Sequence, residues 1–436
     1  MSATYQAPRC SGRAMHDLIR DLYPICRSIT GDGFRESLRR VGELAPLSFT
    51  EVPTGTAVFD WTVPKEWNIR DAWIKNSAGE RLADFHKLNL HVVSYSSPLH
   101  RRLRLAELRP HLFTLPAHPD WVPYRTTYYE DKWGFCLSEN QLNQLRDDQE
   151  YDVCIDTSLE PGYLTYGELL LKGEESTEVL ISCHVCHPSL ANDNLSGISL
   201  AVALARHLGK SGRRYSYRFL FVPGTIGAIT WLAQNEDGLS RIRHGMVLTC
   251  VGDSGHITYK RSRQGNAEID RAFAHVLKHS GEPHDVIDFF PYGYDERQYC
   301  SPGFNLPVGC LMRSRHGEFP EYHTSADNLE FVHTEALADS FAKCCEVIDL
   351  LEQDRIYLNQ NPKCEPQLGR RGLYSPVPNE EGSRCRELAL LWVLNLSDGG
   401  HSLLDIAERS NLPFAVIKDA AVALTKTGLL RSATLE

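Results

Sequence analysis

The sequence predicts an α/β protein, a sandwich of helices on a sheet, with a β-rich inserted domain and a small C-terminal winged-helix module. Three observations carry that expectation. Between about Tyr151 and Leu351, short apolar runs alternate with segments of helical periodicity. Between Leu47 and Trp133 the texture changes to β-prone runs broken by Pro, Gly and Asn. After a Pro-, Gly- and Asn-rich stretch, three helix-like segments separated by turns close the sequence.

Residues 13–29 place apolar side chains at helical spacing and are expected to form a helix. FTEVPTGTAVFDWTVP, DAWIKN, LNLHVVSY and HLFTLP are the β-prone runs that follow. EVLISC reads as a buried strand, and DNLSGISLAVALARHL as a helix started by Asp193. YRFLFVP, MVLTCVG and LPVGCLMR supply further strands. AEIDRAFAHVLKHSG, closed by Gly281, and TEALADSFAKCCEVIDLLEQ supply further helices. The resulting division is an α/β body over 1–46 and 134–355, an insertion over 47–133, a linker over 356–382 and the winged-helix-like domain over 383–436.

Composition excludes several functions. Asp plus Glu number 56 against 46 Lys plus Arg, a formal charge of −10, which argues against coating nucleic acid or anionic membranes. No apolar run approaches the length of a membrane span. The first residues, MSATYQAPRCSGRAMHDLIRDLYP, lack the apolar core of a secretory signal. The 13 cysteines are odd in number and unpatterned, as expected of reduced thiols in a cytoplasmic protein. From Glu365 to Glu436 there are 8 Lys/Arg and 9 Asp/Glu, and the third helix-like segment carries only Lys418 and Lys426. That charge does not suit a DNA reader, so the module is expected to pack against the body or a second copy of the chain, as a homodimer.

Two segments carry chemistry. In ISCHVCHPSLANDNLSG (residues 181–197) a strand delivers His184, Cys186 and His187 into a loop, and Asp193 stands at the next helix start. Imidazole nitrogen and carboxylate oxygen both ligate zinc, and the carboxyl edge of an open α/β sheet is where such sites lie. FPEYHTSADNLEF (residues 319–331) places His323 just before the last long helix, with Asp327 as its expected N-cap. A third cluster, PYGYDERQYCSPGFNLP, sets Asp295, Glu296 and Arg297 among aromatics. Asp295 suits a substrate ammonium and Arg297 a carboxylate, and Arg313 and Arg315 follow the next strand.

At these residues the chain resembles zinc aminopeptidases of the bacterial leucyl-aminopeptidase and glutaminyl-cyclase type (peptidase clan MH). It is most similar to a bacterial aminopeptidase-like family with a β-rich insertion and a C-terminal winged helix. The resemblance rests on Cys186-His187-Pro188…Asn192-Asp193-Asn194-x-Ser196-Gly197, Pro223-Gly224-Thr225-Ile226-Gly227 and Tyr322-His323-Thr324-Ser325-x-Asp327. It implies His184 and His323 as metal ligands, Asp193 as the carboxylate that bridges two metals in the larger family, and Cys186 in place of an Asp that orients the site. Because nine residues separate His184 from Asp193, fewer than the family uses, His187 stands as the alternative ligand to His184.

Two departures matter. Where aminopeptidases carry Glu-Glu, the general base and a ligand, this chain has Gly224 and Thr225. Where they carry an Asp ligand, it has Thr249 or Cys250, with Asp253 a few residues late. The expectation is one zinc per chain, held by His184 (or His187), Asp193 and His323, in a hydrolase for an amide or peptide bond of a small amine-bearing substrate. Gly224 leaves the catalytic base unassigned, with Glu296 and His187 the candidates. Asp295, Arg297 and Tyr322 are the expected substrate contacts. A non-catalytic zinc-containing binding protein, or glutaminyl-cyclase-like acyl transfer, is the alternative.

Overall fold

The apolar runs of the body form one eight-stranded mixed sheet in a computed structural model, which describes residues 12–210, 212–374 and 383–433. Its strands are β1 (Ser48–Pro53), β2 (Tyr163–Leu171), β3 (Glu178–His184), β4 (Ser216–Val222), β5 (Ile242–Leu248), β6 (Ile257–Lys260), β7 (His284–Ile287) and β8 (Val308–Met312). Their spatial order is β1-β2-β4-β3-β5-β8-β6-β7. The central strands β4, β3, β5 and β8 run parallel. Every residue of β3 is buried, as a parallel strand covered on both faces requires.

The helices α1 (Gly12–Leu22), α2 (Asp32–Leu44), α3 (Gly197–Leu208) and α4 (Ile226–Asn235) belong to the same compact unit, which spans residues 10–267 and 285–341. Nearly all of α3 is buried. α1 ends at Leu22 and does not reach residue 29, because Pro24 follows: proline disfavours helical backbone at Tyr23 and offers no N–H.

The insertion boundary shifts at both ends. β1, expected in the insertion, is the edge strand of the main sheet and pairs with β2 from Ser48↔Glu168 to Pro53↔Tyr163. Glu150–Glu160, expected in the body, is a central strand of a separate four-stranded sheet, between Glu66–Lys75 and Leu99–Arg104. Tyr151, Val153 and Ile155 alternate inward there and close a core with Ala72, Ile74 and Phe135.

The second unit comprises residues 268–284 and 342–436. It contains α5 (Glu268–His279), most of α6 (Thr334–Gln353), α7 (Ser383–Leu396), α8 (Leu403–Ser410) and α9 (Phe414–Lys426). The expected linker begins instead as a strand, β9 (Ile356–Asn359), central between β10 (Asp398–Ser402) and β11 (Leu430–Ser432). Residues 375–382 of that stretch lie outside the described residues. A capping box starts α8: Ser402 and Asp405 bond each other's backbone N–H. α5 grips this helix pair: Arg271 binds Asp405 and Glu408, and His275 Nε2 accepts the Phe414 N–H at 3.0 Å. Among the described residues no helix is long and apolar enough to cross a membrane.

Candidate metal centre

β3 ends on His184, and the chain turns through Ala191–Ser196 before α3. The Asn-Asp-Asn-x-Ser-Gly motif builds that turn side chain by side chain. Asn192 reaches Gly252 N–H (2.9 Å) and Asp253 (2.8 Å). Asn194 binds the Leu248 carbonyl (3.0 Å) and accepts the Gly197 N–H (3.2 Å). Ser196 accepts the Val251 N–H at 3.0 Å. A Cβ on Gly197 would lie 2.4 Å from the Leu248 carbonyl oxygen, so only glycine fits. Asp193 was expected to start the helix, but α3 begins at Gly197, whose N–H Asn194 Oδ1 accepts. Asp327 does not cap α6, which begins at Thr334. It accepts the N–H groups of Asn192 (2.6 Å) and Asp193 (2.9 Å).

With the backbone held by its neighbours, the Asp193 carboxylate is left facing three imidazoles. His184 Nε2 lies 2.8 Å from Oδ1, His323 Nε2 3.0 Å from Oδ2, and His187 Nδ1 3.3 Å from Oδ2. The ligating atoms of His184, His187 and Asp193 fall within 4.8 Å of one another. His184 and Asp193 are fully buried, whereas the His323 side chain keeps 32 % of its surface exposed. Burial lowers the His184 pKa to about 4, against the pull of Asp193, and lowers that of His323 too. Burial pushes Asp193 upward, but the charge of His187 and the bonds from all three histidines hold it well below the usual range. A buried anion beside His184 and His323, whose burial favours the neutral ring, is part of a donor set suited to a divalent cation such as zinc.

Asp253 and Thr249, near the expected second-ligand slot, have other partners. Asp253 is buried and committed to Asn192, Gly255 N–H and Ser314. Thr249 Oγ1 bonds His316 Nε2 at 3.2 Å. Cys186 does not orient His184. Its thiol faces the Gly224 carbonyl (3.8 Å) and Tyr294 (3.6 Å).

The missing side chain at Gly224 does not leave open space. The Tyr294 ring fills the space, lying against the His184 ring at 3.8 Å between centroids. Its hydroxyl bonds His187 Nε2 at 3.1 Å. Of the two candidate bases, Glu296 is committed to Lys260 at 2.6 Å and to the Tyr294 N–H. His187 has Nε2 on Tyr294 and Nδ1 on Asp193.

The insertion reaches the same place. Tyr124 donates its N–H to the His323 carbonyl (2.8 Å), and its ring meets both His187 and His323 edge-on. Tyr322 stacks on His323 at 4.0 Å. Asp295, expected to hold a substrate ammonium, is completely buried and neither oxygen has a hydrogen-bond partner. Burial and then Glu296 raise its pKa well above normal, against Arg297; this favours the neutral carboxyl, and its burial keeps it out of a substrate's reach. Half-buried Arg297 leaves Nε unbonded. Arg313 is used structurally, on Gly255 and Asp339. Arg315 does line a cavity of roughly 280 Å³ with His316, Tyr292, Phe290 and Met312. Tyr124, Tyr294 and His316 escaped the sequence reading, since each arrives from a distant segment through packing and no local motif marks it.

Residues 16–354 match the family described as a domain of unknown function, DUF4910. The chain belongs to that family. Residues 355–432 match a winged helix-turn-helix. A Clostridium acetobutylicum protein, provisionally named a polysaccharide biosynthesis protein with an aminopeptidase-like domain, is 53% identical over 421 residues, covering 97% of this chain and 96% of its own. A crystal structure from that organism, of a protein provisionally called a peptidase, is 52% identical with a TM-score of 0.92, covering 97% of this chain and 96% of that one. The zinc aminopeptidase BSAP of Bacillus subtilis is 12% identical with a TM-score of 0.56, covering 79% of this chain and 95% of its own. This DUF4910 member therefore has an aminopeptidase-like α/β fold with a C-terminal winged helix.

Proposed function

We propose that this family member is a metal-dependent hydrolase that cleaves an amide or peptide bond beside a free amine on a small substrate. One zinc is held by His184, Asp193 and His323, with His187 the further donor in reach. Bound there, zinc supplies Lewis acidity, polarising a carbonyl and making water a nucleophile near neutral pH. Asp193 balances the charge. Asp327 and the Asn192 and Asn194 bridges fix its position. Tyr124 and Tyr322 wall the histidines and limit water. The Tyr294 hydroxyl, tied to His187, is the polar group standing where a general base is missing.

The observation that carries this reading is the convergence of three imidazoles on one buried carboxylate at the carboxyl edge of the sheet. Elemental analysis after metal-replete expression should find about one zinc per chain. Turnover of a panel of aminoacyl amides and short peptides should stop on chelation. The Clostridium relative's name supports adding amide-bearing saccharides to that panel. A metal-free protein without turnover rejects the proposal. A second reading, a zinc-containing binding protein without catalysis, is favoured by Tyr294 filling the space beside Gly224. Stoichiometric zinc with no turnover on any substrate supports it.

A further inference from the structure

The strands Ala57–Val58 and Trp61–Thr62 pair as a hairpin with Val58 opposite Trp61, so Phe59 and Asp60 form a two-residue loop. Hairpin loops that need a positive φ ordinarily use glycine or asparagine there. Here Phe59 takes φ +56°, with 53 % of its surface exposed. A bulky residue in the left-handed region is unfavourable, and an exposed ring recovers little by burial. Tyr129 repeats the pattern, at φ +64° and 49 % exposed.

Four aromatics from three segments meet at this hairpin. Trp61 lies 5.6 Å from Tyr129, tilted at 58°, and Phe59 lies 5.6 Å from Phe304, edge-on. The base of the hairpin is rigid: Val58 and Val63 are buried, and Val63 exchanges backbone bonds with Thr56 and Gly55, both at 2.9 Å. Exposed Asp60 sits between the two hairpin aromatics and makes no ion pair among the described residues.

We propose that this platform is a binding site for a neutral pyranose ring of an oligosaccharide or glycoconjugate. The C–H face of a pyranose lies flat on an aromatic ring, and its peripheral hydroxyls donate to a carboxylate such as Asp60. Nucleobases also stack on exposed rings, but their phosphates need cationic neighbours, and the charge in this loop is an aspartate. Protein interfaces are rich in the same rings but depleted in aspartate, whereas here exposed Asp60 stands between Phe59 and Trp61. Tyr129 adjoins Tyr128, whose hydroxyl meets that of Tyr124 at 3.1 Å, so one short segment joins the platform to the cover of the metal centre. The site does not depend on the hydrolase reading.

The full chain is titrated with cellohexaose, maltohexaose and chitohexaose, read by calorimetry and tryptophan fluorescence. At least one should bind with a Kd on the order of millimolar or tighter. Trp61→Ala should weaken it about tenfold, and Phe59→Ala severalfold. Phe113→Ala, at another exposed aromatic, should change nothing. If Trp61→Ala fails to fold, Tyr129→Ala carries the same expectation. The proposal is overturned if no probe binds at about 10 mM, or if binding survives the platform substitutions. It is equally overturned if they change the oligomeric state, which would make the surface a protein interface.

Discussion

A Cβ on Gly224 would lie 2.0 Å from Cε1 of Tyr294. The two residues are 70 positions apart, and each explains the other: the missing side chain is what lets the ring lie on His184 and reach His187. Gly224→Glu alone must therefore displace a packed ring. We expect it to cost about 1–3 kcal/mol in stability without raising kcat. Gly224→Glu combined with Tyr294→Ala opens the space, and should exceed Tyr294→Ala in kcat by roughly tenfold or more at equal zinc content. Steady-state kinetics and thermal melts on the three variants decide it. A single Gly224→Glu that is both fully stable and faster would sink the argument.

Chelation tests the metal centre through stability. A cation bound only by the folded chain stabilises it in proportion to the logarithm of its concentration. Removing it also leaves the buried Asp193 charge to the imidazoles alone. EDTA should lower the melting temperature by a few degrees, and added zinc should restore it. His184→Ala and His323→Ala should abolish that response while far-UV circular dichroism stays unchanged. An identical melt with and without EDTA would show that no metal contributes.

The legible parts of the site were those written in local motifs. His184 is the last residue of a strand whose apolar run is plain, and the residues from Asn192 to Gly197 tie one turn to the end of β5. What could not be read depends on long-range register. A one-strand exchange between insertion and body moved β1 and Glu150–Glu160 across the expected boundary, because alternation identifies strands but not their partners. Tyr124 and Tyr294 lie in segments with no metal-site motif, so only packing brings them to the histidines. Asp295 read as a substrate contact and Glu296 as a candidate base, yet both are buried, one with its pKa raised by burial and one paired with Lys260.

The winged helix is expected not to bind DNA. α9, the helix such modules insert into a groove, carries two lysines and an aspartate along its length. The start of α9 is tied to His275, and Asp405 and Glu408 of α8 are tied to Arg271. Few phosphate contacts mean little counterion release, and so little non-specific affinity. Electrophoretic mobility shifts with the full chain should show no complex at micromolar protein in low salt. A salt-sensitive, sub-micromolar complex would overturn this.

The contact between α5 and α9 should be sensitive to acid. His275 Nε2 accepts the Phe414 N–H, which only the unprotonated ring can do. Burial, followed by His279, Lys278 and Arg271, lowers its pKa from 6.5 to about 4. Between those values the unfolded chain holds a proton that the folded chain excludes, so folding stability falls as pH drops. The contribution is complete above pH 6.5 and is lost progressively on the way to pH 4. Protonation would also place a cation at the N-terminus of α9, against the helix dipole. From pH 7 to about 4.5, the parent should lose on the order of 2 kcal/mol more than His275→Gln, whose amide oxygen accepts the same N–H without titrating. Urea unfolding at the two pH values measures the difference. Equal losses in parent and variant would show that the His275 bond does not govern the acid response of this unit.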